Sequence, residues 1–531
     1  MKRLPALWIC FLLLLHALPA LCCAADGTCG KHLTWLLDEY GVLTIRGEGE
    51  MDDFGFSNPP PWGRSVTKAV IEQGVTSIGR LAFDGCYTMT EVQIPASVVR
   101  IGNRAFSACH ALTEVLIPEG VESLGDFAFM ACLNLSSVSL PDSLTRIGES
   151  VFFGCSALQG IVIPEGIASI PELTFRGCSS LQSVTIPKGI KSIGDMAFYE
   201  CRMLSGAVLP EGVASIGSEA FSNCSALTDI SLPAGIAEIG AHAFGGCSAL
   251  TKIILPQGLK TIASSTFANC SALSVVVIPE GVTNIGWEAF EGCRSLSVLS
   301  LPEGLTSIES SAFMGCSGLT ALSLPETVTS IESNAFMGCS GLTALSLPEG
   351  LTSIESSAFL GCTGLESIQI PSGITEIGDS VFIGCTGLKQ VVIPEGVTSI
   401  GSHAFHNCSG LPGISLPASL VRIGNGAFSA CLALKEISIP EGVAGLGEGA
   451  FFNCTGLERV TLPSSLQEIG DRAFAYCRSL DTVTIYAESV SFGSDIFSNH
   501  PTIQCFKATD VDIWAAQNGY DTADLDHLDG Q

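Results

Sequence analysis

The stretch PEGLTSIESSAFMGC, from Pro302 to Cys316, is followed by PETVTSIESNAFMGC, from Pro325 to Cys339. The two stretches begin 23 residues apart and differ at three of their fifteen positions. A fixed period of this length predicts a solenoid, because one short unit cannot bury its own apolar side chains and must stack on its neighbours. The repeat therefore determines the predicted architecture.

The period extends far beyond these two copies. A cysteine recurs every 23 residues from Cys86 to Cys477, eighteen times without an insertion. We call each unit a rung, name it by its cysteine, and count positions from that cysteine. Phenylalanine stands at position −3 of every rung, and leucine stands at position +3 of every rung except the first, which has Met89. Positions +6 and +8 are always apolar, and proline follows at +9 in all rungs but the last.

The segment LTEVLIP, from Leu112 to Pro118, places apolar residues at alternate positions before a proline. This pattern predicts a short strand that ends at a residue unable to continue a ladder. The strands of successive rungs are expected to pair in parallel at about 4.8 Å. The phenylalanine of each rung, such as Phe405, is expected to point inward and fill the rung.

The composition and the first residues of the chain limit the classes of protein to which it can belong. The chain has 52 acidic and 24 basic residues, a net charge of −28, so we expect no nucleic-acid partner. Hydrophobic residues make up 47% of the chain, which favours a large core. Lys2 and Arg3, the apolar run 7–15 and small residues at 23–25 predict a cleaved secretory signal over residues 1–25. No second apolar stretch is long enough for a membrane span, so a secreted, extracellular or cell-surface protein is predicted.

Capping segments are predicted on both sides of the array. Residues 26–70 lack the period, and Leu33 to Leu37 with Val42 to Ile45 predict a β-hairpin. Residues 71–486 form the predicted solenoid. Residues 487–531 are a predicted C-terminal cap and acidic tail, in which Val511, Trp514 and Ala515 would share one face of a short helix.

The order CSALTDISLP, from Cys224 to Pro233, resembles the leucine-rich repeats of the BspA type, and the resemblance covers about Val75 to Ile485. It implies a fold of the α/β class that is mostly β, a curved right-handed solenoid of about 18 rungs of 23 residues with a cap at each end. The strands after each cysteine would line its concave face. Members of this family are surface proteins described as adhesive, which implies a protein partner.

Chemistry-bearing motifs are missing from the sequence. It contains no G-x-S-x-G elbow, no H-E-x-x-H and no Walker loop, so no catalytic residue, enzyme activity or cofactor is predicted. The cysteine column is linear and offers no converging metal ligands. Its thiols could be buried and reduced, or partly joined between neighbouring rungs. An acidic residue at position +10 of many rungs, such as Glu303, could hold calcium or only improve solubility.

Alternation along the strand sends positions +5 and +7 outward. In the middle rungs these positions carry small and aliphatic side chains, which could form an apolar protein-binding floor. The alternative is that small residues only allow the sheet to curve. The residues of the predicted floor are Ile254, Val275, Val277, Val298, Ala321 and Ala344.

Two functions are compatible with these observations. The first is a secreted or cell-surface adhesion module that binds an extracellular matrix protein or another surface protein through the concave face. The second is a structural spacer or surface-layer component without a specific ligand. The near identity of residues 302–324 and 325–347 is compatible with both.

Overall fold

A computed structural model describes residues 24–527 of the chain. The described chain divides into two compact units, with the boundary between Ile167 and Ala168. Residues 1–23 of the predicted signal and residues 528–531 of the predicted acidic tail lie outside the described range.

The described part of unit 1 contains thirteen strands. In chain order they are β1 (Ala25–Gly30), β2 (Leu33–Leu37), β3 (Val42–Gly47), β4 (Gly49–Glu50), β5 (Lys68–Ile71), β6 (Val75–Ile78), β7 (Glu91–Gln93), β8 (Arg100–Ile101), β9 (Glu114–Leu116), β10 (Ser123–Leu124), β11 (Ser137–Ser139), β12 (Arg146–Ile147) and β13 (Gly160–Val162).

The described part of unit 2 contains the remaining strands and one α-helix. In chain order they are β14 (Ser169–Ile170), β15 (Ser183–Thr185), β16 (Ser192–Ile193), β17 (Gly206–Val208), β18 (Ser215–Ile216), β19 (Asp229–Ser231), β20 (Glu238–Ile239), β21 (Lys252–Ile254), β22 (Thr261–Ile262), β23 (Val275–Val277), β24 (Asn284–Ile285), β25 (Val298–Ser300), β26 (Ser307–Ile308), β27 (Ala321–Ser323), β28 (Ser330–Ile331), β29 (Ala344–Ser346), β30 (Ser353–Ile354), β31 (Ser367–Gln369), β32 (Glu376–Ile377), β33 (Gln390–Val392), β34 (Ser399–Ile400), β35 (Arg422–Ile423), β36 (Glu436–Ser438), β37 (Gly445–Leu446), β38 (Arg459–Leu462), β39 (Glu468–Ile469), β40 (Thr482–Ile485), β41 (Ser491–Phe492), β42 (Thr502–Cys505), α1 (Asp510–Gln517) and β43 (Thr522–Asp524), followed by a 3₁₀ turn at Leu525–His527.

A typical rung supplies two short strands. The first strand begins at position +5 and carries the predicted alternation, and the second strand occupies positions +14 and +15. Equivalent residues of neighbouring rungs pair in parallel, so that Ser307 lies opposite Ser330 and Ile308 opposite Ile331, 23 residues later. The prediction of a mostly β, parallel solenoid of 23-residue rungs is confirmed.

The rung core consists of columns of identical side chains. Phe313 and Phe336 are both fully buried, and their rings stack with centroids 5.4 Å apart and planes 5° apart. Such offset stacking adds about 0.5–1.5 kcal/mol per pair beyond the burial of apolar area. The leucine at position +3, such as Leu319, and the rung cysteine are fully buried beside the phenylalanine. The predicted inward position of the phenylalanine is confirmed.

The turn before each cysteine forms a third backbone ladder. The N–H of Phe313 donates to the carbonyl of Ala335 in the next rung at 2.8 Å. Positions −5 and −1 have positive φ, as in Ser311 at 59° and Gly315 at 72°. Two left-handed residues so close together prevent a continuous helix, and the segment is a series of turns.

The two strand ladders of unit 2 differ in continuity. Second strands form sheets of four, five and six strands, such as the sheet β32-β34-β35-β37-β39-β41. First strands form shorter sheets, such as β21-β23-β25 and β27-β29, until the five-stranded sheet β36-β38-β40-β42-β43 near the C-terminal end. The first strands therefore do not form the uninterrupted parallel ladder that the repeat predicts.

One interruption lies in the Cys408 rung, where no first strand forms within the described chain. Pro412 stands at position +4, and proline has no N–H to donate to the preceding rung. In other rungs this position donates, as from Thr343 to the carbonyl of Thr320 at 2.9 Å. The Cys408 rung therefore lacks a backbone donor that other rungs have at this position.

The predicted N-terminal hairpin is present, with β2 and β3 antiparallel. Trp62 is buried between Trp35 and Phe83, with ring centroids 5.9 Å from each. The parallel ladder already begins at β3, which pairs with β5, and β5 pairs with β7, so the stacking extends to the N-terminal side of residue 71.

At the C-terminal end the ladders also continue past residue 486, through β41, β42 and β43. The predicted short helix is α1. Its residues Val511 and Ala515 are buried, and Trp514 stacks on Phe492 with centroids 3.7 Å apart. The helix thus packs against the last strands, as the apolar face in the sequence predicts.

Candidate protein-binding surface

The outward side chains of the first strands form what we call the first-strand face. In β21, Ile253 is 1% exposed, whereas its neighbour Ile254 is 55% exposed. In β23, Val276 is 2% exposed and Val277 is 44% exposed. The pleat of each strand produces this alternation. Positions +5 and +7 therefore point away from the core, as the sequence predicts.

Strand register brings four of the six predicted floor residues together. Ile254 lies opposite Val277, and Val275 lies opposite Val298, on the parallel sheet β21-β23-β25. Val298 is 59% exposed, and Val275 is half-buried. Adjacent parallel strands are about 4.8 Å apart, so these side chains form one continuous aliphatic surface.

The other two predicted residues lie on a separate sheet. Ala321 and Ala344 are both exposed and lie opposite each other on β27 and β29. A shallow cavity of about 390 Å³ opens here, because alanine and serine side chains leave space above the strands. The predicted floor is thus divided between two sheets.

In unit 2, two further exposed apolar residues belong to this face and were not among the predicted set. Val208 is 76% exposed and Val392 is 44% exposed. Each occupies position +7 of its rung, the position of Ile254 and Val277. The same periodicity could have identified them.

The first-strand face lacks charge over a long interval. From the Cys270 rung to the Cys408 rung, seven consecutive rungs carry no charged residue at position +5 or +7. Asp229 and Lys252 precede this interval. After it come Glu436 and Arg459, which form an ion pair of 2.7 Å. An uncharged interval of this length contrasts with the net charge of −28 of the whole chain.

The second strands line a surface of a different kind. An open cavity of about 490 Å³ there is polar, and it is lined by Glu355, Glu376, Asp379 and Arg422 among others. The carboxylate of Asp379 accepts the backbone N–H of Ser402 at 2.6 Å. Carboxylates on this surface therefore take part in the hydrogen bonding between rungs.

Several acidic residues at position +10 also hold neighbouring rungs together. Glu441 accepts the backbone N–H groups of Ser464 at 3.0 Å and Ser465 at 3.2 Å. The N–H of Ser464 is the main cause that lowers the pKa of Glu441. Among residues 24–527, no group of three or more His, Cys, Asp or Glu side chains is arranged to hold a metal ion.

The described part of the chain contains no helix that is both long enough and apolar enough to cross a membrane.

Comparison with known proteins identifies the family. No curated protein sequence matches the chain. The family profile described as BspA type leucine rich repeat region (6 copies) matches residues 63–180, 146–274, 191–320, 260–389 and 376–504.

Solved structures of bacterial leucine-rich repeat proteins are similar to the chain. A leucine-rich repeat protein from Bacteroides ovatus ATCC 8483 is 25% identical, with a TM-score of 0.49, and the match covers 90% of this chain and 99% of that protein. A leucine rich cell surface protein from Faecalibacterium prausnitzii A2-165 is 21% identical, with a TM-score of 0.31, and the match covers 90% of this chain and 95% of that protein. Both TM-scores are below 0.5, so the assignment depends on the repeat profile, which spans residues 63–504. The chain belongs to the BspA-type leucine-rich repeat family.

Proposed function

We propose that the protein is a secreted or cell-surface interaction module that binds another protein through its first-strand face, without catalysis. Leucine-rich repeat proteins typically act as protein-interaction modules, which supports the general class. The observation that carries the specific proposal is the uncharged interval of seven rungs on a strongly acidic chain. Depletion of charge is a feature of the buried centre of protein interfaces.

The centre of the binding surface is the sheet β21-β23-β25. Val277 and Val298 leave large parts of their side chains exposed on the sheet, next to Ile254. When a partner removes exposed aliphatic side chains on adjacent strands from water, binding is favoured by about 25 cal/mol per Å² of apolar area buried. The serines and glutamines farther along the face would form the polar rim of the interface.

Binding to immobilised fibronectin, fibrinogen and other matrix proteins tests this proposal. The chain without its signal should bind at least one of them saturably. The double variant Val275→Lys/Val277→Lys should weaken that binding by about 30-fold or more, because two charges would be buried at the centre of the interface. Both side chains point outward, so the variant should unfold at the same denaturant concentration as the unsubstituted chain.

A matched control adds the same two charges elsewhere. Thr261 and Thr283 are exposed on the second-strand side of the same part of unit 2. The variant Thr261→Lys/Thr283→Lys should bind like the unsubstituted chain. Equal losses in both variants would assign the effect to net charge and reject the first-strand face. The absence of saturable binding to every protein tried would favour the alternative of a structural spacer.

A further inference from the structure

An open cleft of about 770 Å³ interrupts the first-strand face at Gly206. Its apolar base consists of Val184 and Ile186 from one rung and Ala207 and Leu209 from the next. This volume lies within the range of about 300–1,000 Å³ that is usual for ligand-binding pockets, and the few polar groups lie around an apolar base, as in such pockets.

The cleft is open because two neighbouring first strands are separated. Within the described residues, β17 pairs with β19 but is not paired with β15. As a result, Val184 and Ile186 are partly exposed. Their equivalents at positions +6 and +8 of the Cys247 rung, Ile253 and Leu255, are each 1% exposed. Core side chains are thus accessible from the first-strand face at this place.

Gly206 leaves the entrance of the cleft unobstructed. It stands at position +5, where Val275 and Val298 carry outward side chains in other rungs. A Cβ atom built on Gly206 would meet only the carbonyl oxygen of Asp229, at 3.6 Å. Ordinary contact at this distance means that a side chain would fit, so the opening exists because this rung has glycine.

The rim of the cleft carries charges without partners. Asp229, Glu211 and Lys188 line the cleft and are exposed. None of the three takes part in any of the nine ion-pair contacts within residues 24–527. Two carboxylates and one ammonium group give the rim a net negative charge, on a chain whose net charge is −28.

We infer that this cleft receives a large apolar side chain of the protein partner, from a segment that carries basic residues beside it. The inference rests on the proposed function and names the anchor of that interaction. An apolar cleft beside a flatter surface can receive one of the few buried side chains that dominate binding at an interface. The cleft adjoins the floor, because Val208 and Ile254 occupy position +7 two rungs apart with only Ser231 between them.

Charge complementarity indicates which kind of partner segment fits the cleft. Asp229 and Glu211 favour a cationic residue on either side of the anchor, and long-range attraction to an acidic chain acts in the same direction. A segment with acidic flanks would be repelled by both carboxylates. A phenylalanine between two lysines is therefore the simplest probe of the cleft.

The first experiment needs no natural partner. The peptides acetyl-Lys-Phe-Lys-amide and acetyl-Glu-Phe-Glu-amide are titrated against the chain without its signal, and binding is followed by ligand-observed NMR. The basic peptide should bind saturably and about fivefold or more tighter than the acidic one. Asp229→Asn should reduce this preference. Equal binding of both peptides, or binding of indole with no binding of either peptide, would overturn the inference in favour of a small-molecule cavity.

Filling the cleft provides the second test. Gly206→Val should weaken binding of the basic peptide at least tenfold, because the new side chain occupies the opening of the cleft. Ala321→Val adds a similar volume on the first-strand face outside the cleft and should leave peptide binding unchanged. Unfolding curves of both variants should match that of the unsubstituted chain. Unchanged peptide binding to Gly206→Val would contradict the inference.

A partner identified with immobilised matrix proteins separates the two proposals. If Gly206→Val weakens binding of the partner tenfold and Val275→Lys/Val277→Lys also weakens its binding, both proposals are supported. If only the lysine variant weakens binding of the partner, the first-strand face binds it but the cleft is not the anchor. The inference about the cleft then fails, while the proposed function stands. If neither variant has an effect, the face itself is rejected.

Discussion

The Sγ atom of Cys316 lies 3.1 Å from the carbonyl oxygen of Phe290, which is 26 residues earlier in the chain. The same oxygen accepts the backbone N–H of Cys293 at 3.2 Å. The thiol thus donates to the second lone pair of a carbonyl that is buried in the core. Cysteine suits this position because it combines a small apolar volume with a weak donor. The contact recurs along the column, as between Cys109 and Phe83 at 3.2 Å.

The buried thiols predict a loss of stability at alkaline pH. Burial raises the pKa of Cys362 and of Cys431 to about 12, whereas a thiol in the unfolded chain has a pKa of about 8.5. Between these values the unfolded chain loses protons that the folded chain keeps. Each such thiol therefore lowers the free energy of unfolding by about 1.4 kcal/mol per pH unit above pH 8.5, and has no effect below it.

Urea unfolding at pH 7 and pH 10 measures this dependence. The midpoint should fall steeply at pH 10, and the fall should be smaller in the variant Cys362→Ala/Cys431→Ala. Iodoacetamide at pH 8 should modify the column cysteines only after unfolding. Equal midpoints at the two pH values, or rapid modification of the folded chain, would contradict burial of reduced thiols.

The glycine at position +16 of the Cys408 rung, Gly424, lies where two rungs approach each other closely. A Cβ atom on Gly424 would lie 2.7 Å from the backbone nitrogen of Ser402 and 2.8 Å from the carbonyl carbon of Gly401. Because backbone atoms cannot move aside easily, Gly424→Ala should lower the free energy of unfolding by about 1–3 kcal/mol. Denaturation with guanidinium followed by circular dichroism measures the change.

Gly413 provides the matched control. A Cβ atom built on Gly413 meets no atom within 4 Å, and its φ is not positive. Gly413→Ala should therefore be neutral or raise the free energy of unfolding by about 0.4–1 kcal/mol, through loss of freedom in the unfolded chain. Similar destabilisation by both alanines would show that contact between rungs is not the reason for glycine.

The left-handed residue at position −1 predicts a pair of opposite effects. Ala430 has φ of 58°, and Gly338 occupies the same position of another rung with φ of 72°. Ala430→Gly should raise the free energy of unfolding by about 1 kcal/mol, and Gly338→Ala should lower it by a similar amount. A Cβ on Gly338 would lie 3.7 Å from the Cα of Gly315, so crowding does not contribute. Effects of the same sign in both variants would contradict the conformational explanation.

The repeat alone was sufficient to predict the columns and the direction of the first-strand side chains. A side chain that recurs every 23 residues must occupy the same place in each rung, so the stacking of Phe313 on Phe336 follows from the period. The outward direction of Ile254 and Val277 follows from alternation next to a buried residue. Both inferences need only local geometry and identical neighbours.

Features that depend on one rung differing from the next could not be predicted in the same way. The cleft arises because Gly206 lacks a side chain and two strands separate, and a glycine in a sequence does not indicate which neighbouring strand moves. Position −5 is left-handed in residues as different as Ser311, His403 and Arg472, so residue type gave no signal. Here the stacked backbone determines the conformation and overrides the local preference.

Pro412 offers a test of how one residue interrupts the first-strand ladder. In an intact pair, the N–H of Ile370 donates to the carbonyl of Val392 at 3.0 Å. Pro412→Thr supplies the missing donor at position +4 and should allow Ile393 to make the equivalent bond to Ser415. Hydrogen exchange at the Ile393 amide should then slow by about tenfold, the effect of one hydrogen bond of roughly 1–1.5 kcal/mol.

The reciprocal variant Thr343→Pro removes the bond from Thr343 to Thr320 and should speed exchange in β29. Unchanged exchange in both variants would mean that the donor at position +4 does not determine whether a first strand pairs, and that the interruption has another cause.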